Sequence, residues 1–277
     1  MILFARAIMG RGGGASSAPS PTPVSYSDTA HVLLVNYRGQ SNMQGRGRQD
    51  GLPPVLQVQQ QGCYMFHNTA KTFDILQAGQ NDPANPNMFG PELRSLMVLR
   101  DTYGCRVYGV KTAQGGTSLA PDGSKNDWSA STGELLASSH ANVTNAKTKL
   151  EEMGKTVTVV DAWWQGESDA DNEAEANAYL QNETDLFALS DTIPALQGTR
   201  RFVYKIFERN AIGPYWSVVN QAKLERAAAD PRTTIIENNH YSLGGDLIHA
   251  DANGQVTAGE DLGNAIIASN VYSPVAN

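Results

Sequence analysis

The chain carries only two cysteines in 277 residues, too few for a disulfide scaffold. Neither cysteine stands with a histidine at a spacing that would hold zinc. No apolar run approaches the ~20 residues that span a bilayer. There is no excess of positive charge. The 28 acids against 21 bases give a formal net charge of −7, which speaks against a general nucleic-acid binder. A secretory leader is also not evident: residues 1–9 (MILFARAIM) are apolar, but Arg6 falls inside the stretch rather than before it, and Arg11 follows. Hydrophobic residues make up 40% of the chain, ample at this length for a self-sufficient core.

The first thirty residues read differently from the rest. Gly10-Arg11-Gly12-Gly13-Gly14-Ala15 matches the dinucleotide fingerprint formally, but that motif works only where a helix begins. Pro19, Pro21 and Pro23 follow closely and cannot continue one. Residues 1–30 therefore read as an apolar peg with a Gly/Ser/Pro-rich arm, and residues 31–277 as the folded domain. An arm that builds no core of its own suits attachment, so a partner in a larger assembly is expected to hold it.

From residue 31 the pattern is α/β. Short apolar runs at 31–36, 105–110, 156–164, 201–207 and 233–237 suit strands buried on both faces. Helical patterns fill the intervals at 91–103, 132–153, 171–189, 216–229 and 258–272. This alternation predicts a three-layer α/β/α, doubly wound domain of flavodoxin-like type around a five-stranded parallel sheet. Residues 44–89 are the exception: long, polar and rich in Gly, Pro and Asn, with a strand pair or extended loop expected over 55–65.

Four motifs fall just after strands or just before the last helix. Gly39-Gln40-Ser41-Asn42-Met43 places a serine on a strand-to-loop turn, where a hydroxyl can be exposed beside backbone N–H groups. Gln114-Gly115-Gly116-Thr117 offers paired glycines that let bare N–H donors approach a ligand. Trp164-Gln165-Gly166-Glu167-Ser168 supplies an amide donor and an acid. In Asp246-Leu247-Ile248-His249 an acid three residues before a histidine can hold its Nδ1–H and leave Nε2 for a serine. Any one of these is an ordinary turn; together they supply nucleophile, oxyanion donors, base and orienter, the requirements of acyl transfer. Trp128 and Trp164 can stack on a sugar ring or serve packing.

In these four stretches, with Phe89-Gly90-Pro91-Glu92-Leu93, the chain resembles the SGNH/GDSL-like hydrolases, in the carbohydrate acetylesterase branch that includes sialate O-acetylesterases and acetylxylan-esterase-like proteins. The resemblance covers about residues 31–272. It implies a serine esterase that removes O-acetyl groups from a carbohydrate through an acyl-enzyme, with no metal or organic cofactor. Ser41 would be the nucleophile, His249 the base and Asp246 its orienter. The N–H groups of Ser41 and Gly116 and the amide of Gln165 would be the oxyanion donors. Glu167 competes with Asp246 for the acid role, since some members use that position. Two departures stand out. Tyr37-Arg38 puts a bulky ring and a charge where the family has small or apolar residues, either altering substrate charge preference or pointing away. The arm has no counterpart, and it suggests an extracellular or virion-associated setting. A non-catalytic structural or glycan-binding subunit retaining the fold is the alternative reading.

Overall fold

A computed structural model of the chain describes residues 25–80, 86–209 and 211–274. The glycine pattern at 10–15 and the rest of the arm through residue 24 lie outside the described residues. In chain order the elements are β1 (His31–Gly39), α1 (Ser41–Gln44), β2 (Gly47–Arg48), α2 (Pro54–Gln57), β3 (Cys63–His67), β4 (Thr72–Ile75), β5 (Met88–Phe89), α3 (Glu92–Tyr103), β6 (Val107–Ala113), α4 (Glu134–Glu152), β7 (Thr156–Trp164), α5 (Glu173–Ser190), β8 (Arg200–Tyr204), α6 (Trp216–Ala229), β9 (Thr233–Ile236) and α7 (Ala252–Ala268).

Seven strands form one sheet in the order β4-β3-β6-β1-β7-β8-β9. Neighbours pair in parallel except β3 and β4, an antiparallel hairpin at one edge. This corrects the expected count of five parallel strands. All five expected strands are present side by side, and the additional pair comes from the polar 44–89 stretch. Of the strand pair or extended loop expected over 55–65, a strand pair forms, but shifted later: β3 begins at Cys63 and β4 ends at Ile75. Pro54 instead starts a helical turn, its missing N–H costing nothing at that position. The hairpin was hard to read because β4 alternates exposed and half-buried residues and carries too little apolar character to stand out.

Strand β1 runs through the middle of the sheet and is buried along nearly its whole length. Its side chains alternate between two layers, as the two-residue period of a strand requires. Val32 and Leu34 join Val143, Ala146 and Leu150 of α4. Leu33, Val35 and Tyr37 join Leu93 and Leu96 of α3 and Leu262 and Ile266 of α7. Two helix starts are set by side-chain caps that the apolar periodicity does not reveal. Asn172 accepts from the N–H groups of Ala174 and Glu175 to begin α5, and Asp251 accepts from Gly254 N–H to begin α7 six residues earlier than 258.

The domain's edge also starts before residue 31. Ser27 N–H donates to Gly104 O (3.2 Å) and Ser27 O accepts from Arg106 N–H (3.0 Å). Asp28 pairs with Arg106 and Lys155. The last residues of the expected arm are thus seated beside the start of β6.

Alternation disposes of the Tyr37-Arg38 departure. Tyr37 is fully buried and shares a hydrogen bond with Ser95 (2.7 Å). Arg38, on the opposite face, is equally buried; its guanidinium is paired with Asp161 on β7 and donates to Ser190 Oγ (3.1 Å). Both point into the core, away from any substrate. His140 of α4 is hydrogen-bonded to the same Ser190 hydroxyl. Burial, then the Arg38 charge, pushes its imidazole down to about 4 from an ordinary 6.5. The unfolded chain therefore takes up a proton below pH 6.5 that the folded chain refuses until about 4. Stability from this group is present above that window and is lost as pH falls through it. Melting curves of the wild type and His140→Gln across this range are expected to converge as pH falls, because the glutamine does not titrate. A constant gap would show that His140 is not held neutral.

Candidate active site

Three of the four motifs emerge side by side because their strands are neighbours and end level. In the register of the sheet, Gly39 at the end of β1 lies opposite Ala113 at the end of β6 and Trp164 at the end of β7. Gly39 makes the turn. Its φ is +146°, and a Cβ there would stand 2.0 Å from the Trp164 carbonyl oxygen, so only glycine fits. The chain then passes directly into α1, whose first residue is Ser41.

Ser41 Oγ lies 2.8 Å from His249 Nε2. On the far side of the ring, His249 Nδ1 lies 2.6 Å from Asp246 Oδ2. The other Asp246 oxygen accepts the N–H groups of Ile248 and His249, each at 3.0 Å, closing the loop on itself. Partial burial alone would raise the Asp246 carboxyl. The His249 ring and the two N–H groups outweigh it and hold the group down to about 2. Asp246 is thus a carboxylate throughout the physiological range.

The Gly-Gly turn abuts the serine: a Cβ on Gly115 would sit 3.2 Å from the Ser41 Cβ. Gly115 N–H donates to Gln44 Oε1 (3.0 Å), tying this turn to α1. Gly116 adopts φ +72°, a left-handed conformation that suits glycine. Its N–H and that of Ser41 have no protein acceptor among the described residues. The Phe89-Gly90-Pro91-Glu92 stretch buttresses α1 from below. Glu92 accepts from Gly90 N–H and from Lys111 Nζ (both 3.0 Å), and Lys111 also donates to the Gln44 carbonyl (2.9 Å).

Gln165 does not join this cluster. It is fully buried, and its amide donates to Thr117 O (3.1 Å) and Asp169 Oδ2 (2.5 Å), while its oxygen accepts from the Tyr179 hydroxyl (2.9 Å). Both amide hydrogens are committed, so the open donors beside Ser41 are backbone ones. The group that holds Gln165, Asp169, also collects the N–H groups of Leu119 and Ala120. Burial pushes its carboxyl up to about 6 despite these donors. Its role could not be read from spacing, since Leu119 and Ala120 lie some fifty residues away.

Glu167 is close to the site but does not touch the imidazole. One oxygen accepts from Asn42 Nδ2 (2.7 Å), and burial raises the carboxyl from its ordinary range. The carboxylate on His249 is that of Asp246. Trp128 and Trp164 are both fully buried. Trp128 meets Trp163 edge to face, and Trp164 stacks on Tyr204 at 4.4 Å, so both pack the interior. A groove of about 500 Å³ opens beside His249, lined by Arg46, Arg48, Met88, Gly244, Asp246 and Asn253. Among the described residues no group of three or more His, Cys, Asp or Glu converges as a metal site, and no helix is long and apolar enough to cross a membrane.

A serine hydroxyl, an imidazole and a carboxylate in hydrogen-bonded series at the strand ends of an α/β sheet form the arrangement of a serine hydrolase. The family described as carbohydrate esterase, sialic acid-specific acetylesterase, matches residues 31–268. The chain belongs to that family and is a carboxylic ester hydrolase of the carbohydrate acetylesterase kind, as the motifs led us to expect. Among solved structures, a protein from Arabidopsis thaliana superposes with a TM-score of 0.72 at 18% identity, covering 88% of this chain and 100% of its own. NanS follows this fold with a TM-score of 0.65 at 11% identity, over 88% of this chain and 98% of its own. XAC1771, a carbohydrate acetylesterase from Xanthomonas citri, gives 0.55 at 16% identity, over 85% of this chain and 55% of its own. Likenesses at such identities speak for the fold. No curated protein sequence matches.

Proposed function

We propose that this enzyme removes O-acetyl groups from an acidic carbohydrate in two steps through an acetyl-Ser41 intermediate. The observation that carries the reading is the series Ser41 Oγ–His249 Nε2 (2.8 Å) and His249 Nδ1–Asp246 Oδ2 (2.6 Å). In the first step Ser41 Oγ attacks the acetyl carbonyl carbon while His249 Nε2 takes the hydroxyl proton. The charge that develops on the carbonyl oxygen is received by the Ser41 and Gly116 N–H groups; loss of one such donor typically costs about 3–4 kcal/mol in the transition state. The imidazolium, paired with Asp246, then gives its proton to the departing sugar oxygen. In the second step His249 deprotonates a water, which attacks the acyl carbon; acetate leaves and Ser41 recovers its proton.

The family's description, sialic acid-specific, favours a sugar that carries a carboxylate; on the wall of the groove Arg48 is already paired with Asp50, and Asp251 also lines it. Composition alone supports the further reading that residues 1–24 attach the enzyme to a cell-surface or virion assembly. The test of function is acetate release, measured enzymatically, from O-acetylated sialic acids, acetylated uronic-acid polymers and neutral acetylxylan. Release is expected from at least one acidic substrate and more slowly from acetylxylan. No release from any of them would leave the non-catalytic glycan-binding reading standing.

A further inference from the structure

Asp246 orients the His249 ring, but it belongs to the same loop and moves with it. Something else has to hold that loop at a fixed distance from Ser41. The loop is not a relaxed turn: Leu247 has φ +59°, a left-handed conformation unfavourable for a branched side chain, and it is half exposed. Its backbone bonds, Leu247 N–H to Gly244 O and Gly244 N–H to His249 O, are internal.

The tie from the nucleophile's side is Asn42. This side chain is fully buried and directly follows Ser41 in α1. Its Oδ1 accepts from Ala250 N–H (3.0 Å), and its Nδ2 donates to Ile248 O (3.2 Å). The residues before and after His249 are therefore gripped by one amide. The Asn42 carbonyl also accepts from Gln255 Nε2 of α7 (3.1 Å), joining α1 to the helix that follows the loop. An amide has nearly the same shape when turned over, but turned over it would set Nδ2 against the Ala250 N–H and Oδ1 against the Ile248 carbonyl. Glu167 decides between the two. Its Oε1 accepts from Nδ2 at 2.7 Å, and a turned amide would face it with an oxygen instead.

We propose that Asn42 is a positioning residue that holds His249 against Ser41, and that Glu167 serves the reaction through Asn42, by fixing its amide, rather than through the imidazole. This rests on the Ser41–His249 reading given above. It gives Glu167 a part that its sequence position beside Gln165 leaves open.

The test measures kcat and KM for p-nitrophenyl acetate, the rate of Ser41 labelling by a fluorophosphonate, and melting temperature. In Asn42→Ala, kcat and the labelling rate are expected to fall by ~30–100-fold while KM stays within about threefold, because a displacement of the base near 1 Å has that effect. In Glu167→Gln the amide oxygen can still accept from Asn42, and the loss is expected to stay under about fivefold. Asn42→Asp sets two carboxylates face to face and should lose at least as much as Asn42→Ala. Adding Glu167→Gln to Asn42→Asp reverses the hydrogen bond, with the new amide donating to the new carboxylate, and should recover about tenfold or more. A merely structural asparagine would lower melting temperature and active fraction without this rescue. Failure of the double variant to recover activity overturns the proposal. So does a loss in Glu167→Gln matching that of Asp246→Asn, which would put Glu167 on the imidazole. Should Asn42→Ala not fold, the comparison of Asn42→Asp with the double variant decides alone. Failure of the esterase reading would show separately, as wild-type turnover that survives Ser41→Ala.

Discussion

Ser41→Ala is expected to lower acetate release by about 10⁴-fold or more, leaving only what oriented binding contributes over water. The hydroxyl lies 2.8 Å from the imidazole nitrogen that is to take its proton, placed to form the acyl bond. The substitution removes one oxygen and adds nothing. Ser41 is 4% exposed and sits in the first turn of α1, where alanine is a good helix former. The structural cost is one partly buried hydrogen bond, about 1 kcal/mol. Melting temperature is therefore expected to move by no more than a few degrees while turnover disappears. Both are measured on the same preparation, together with fluorophosphonate labelling, which should vanish. Retention of more than a few per cent of activity in clean enzyme would take the nucleophile's role from Ser41.

Much of this site is legible in the sequence alone, for a definite reason. Strands β1, β6 and β7 are buried on both faces over much of their length, so each carries a mainly apolar run, and a parallel sheet sets functional loops at the carboxyl ends of such strands. Three motifs beginning where three apolar runs stop could only come together at one edge. The Asp246–His249 spacing is likewise local, and a loop that closes on its own histidine needs no knowledge of the fold.

What escaped the sequence is non-local. Asn42 lies 125 residues from Glu167 and 208 from Ala250, and nothing in the spacing of an asparagine after a serine says which backbone it grips. Gln165 looked like a free donor because its acceptors, Thr117 and Asp169, are defined only by how two loops meet. Strand β4 was hidden by its half-exposed edge position, where polar side chains are tolerated and periodicity is weak. Arg38 was the converse case. Its charge looked functional beside the nucleophile turn, yet strand alternation sends it to the opposite face from Tyr37, where Asp161 of the neighbouring strand neutralises it.

Asp246→Asn separates Asp246 from its competitor Glu167 for the partnership with His249. In the wild type the carboxylate accepts a hydrogen bond from Nδ1–H, which keeps the proton on Nδ1 and leaves Nε2 bare toward Ser41 and able to receive the hydroxyl proton. An asparagine can still accept the N–H groups of Ile248 and His249 through its oxygen, so the loop keeps its form. The group then facing Nδ1 is an NH₂ donor. It favours the tautomer with the proton on Nε2, which cannot take another from the serine. The expected loss in kcat is about 10³–10⁴-fold with KM little changed, since the groove itself is intact. Because the folded carboxyl is held at about 2 against an ordinary 3.8, its contribution to stability is present above pH 3.8 and is lost only as pH falls toward 2. An acid limb above pH 3.8 in the wild-type pH–rate profile would therefore not be that of Asp246. Kinetics of Asp246→Asn beside Glu167→Gln, with the melting curves of both, give the decision. A drop of less than tenfold in Asp246→Asn would mean that His249 keeps its tautomer without Asp246, and the 2.6 Å contact would then be a loop brace and not part of the reaction.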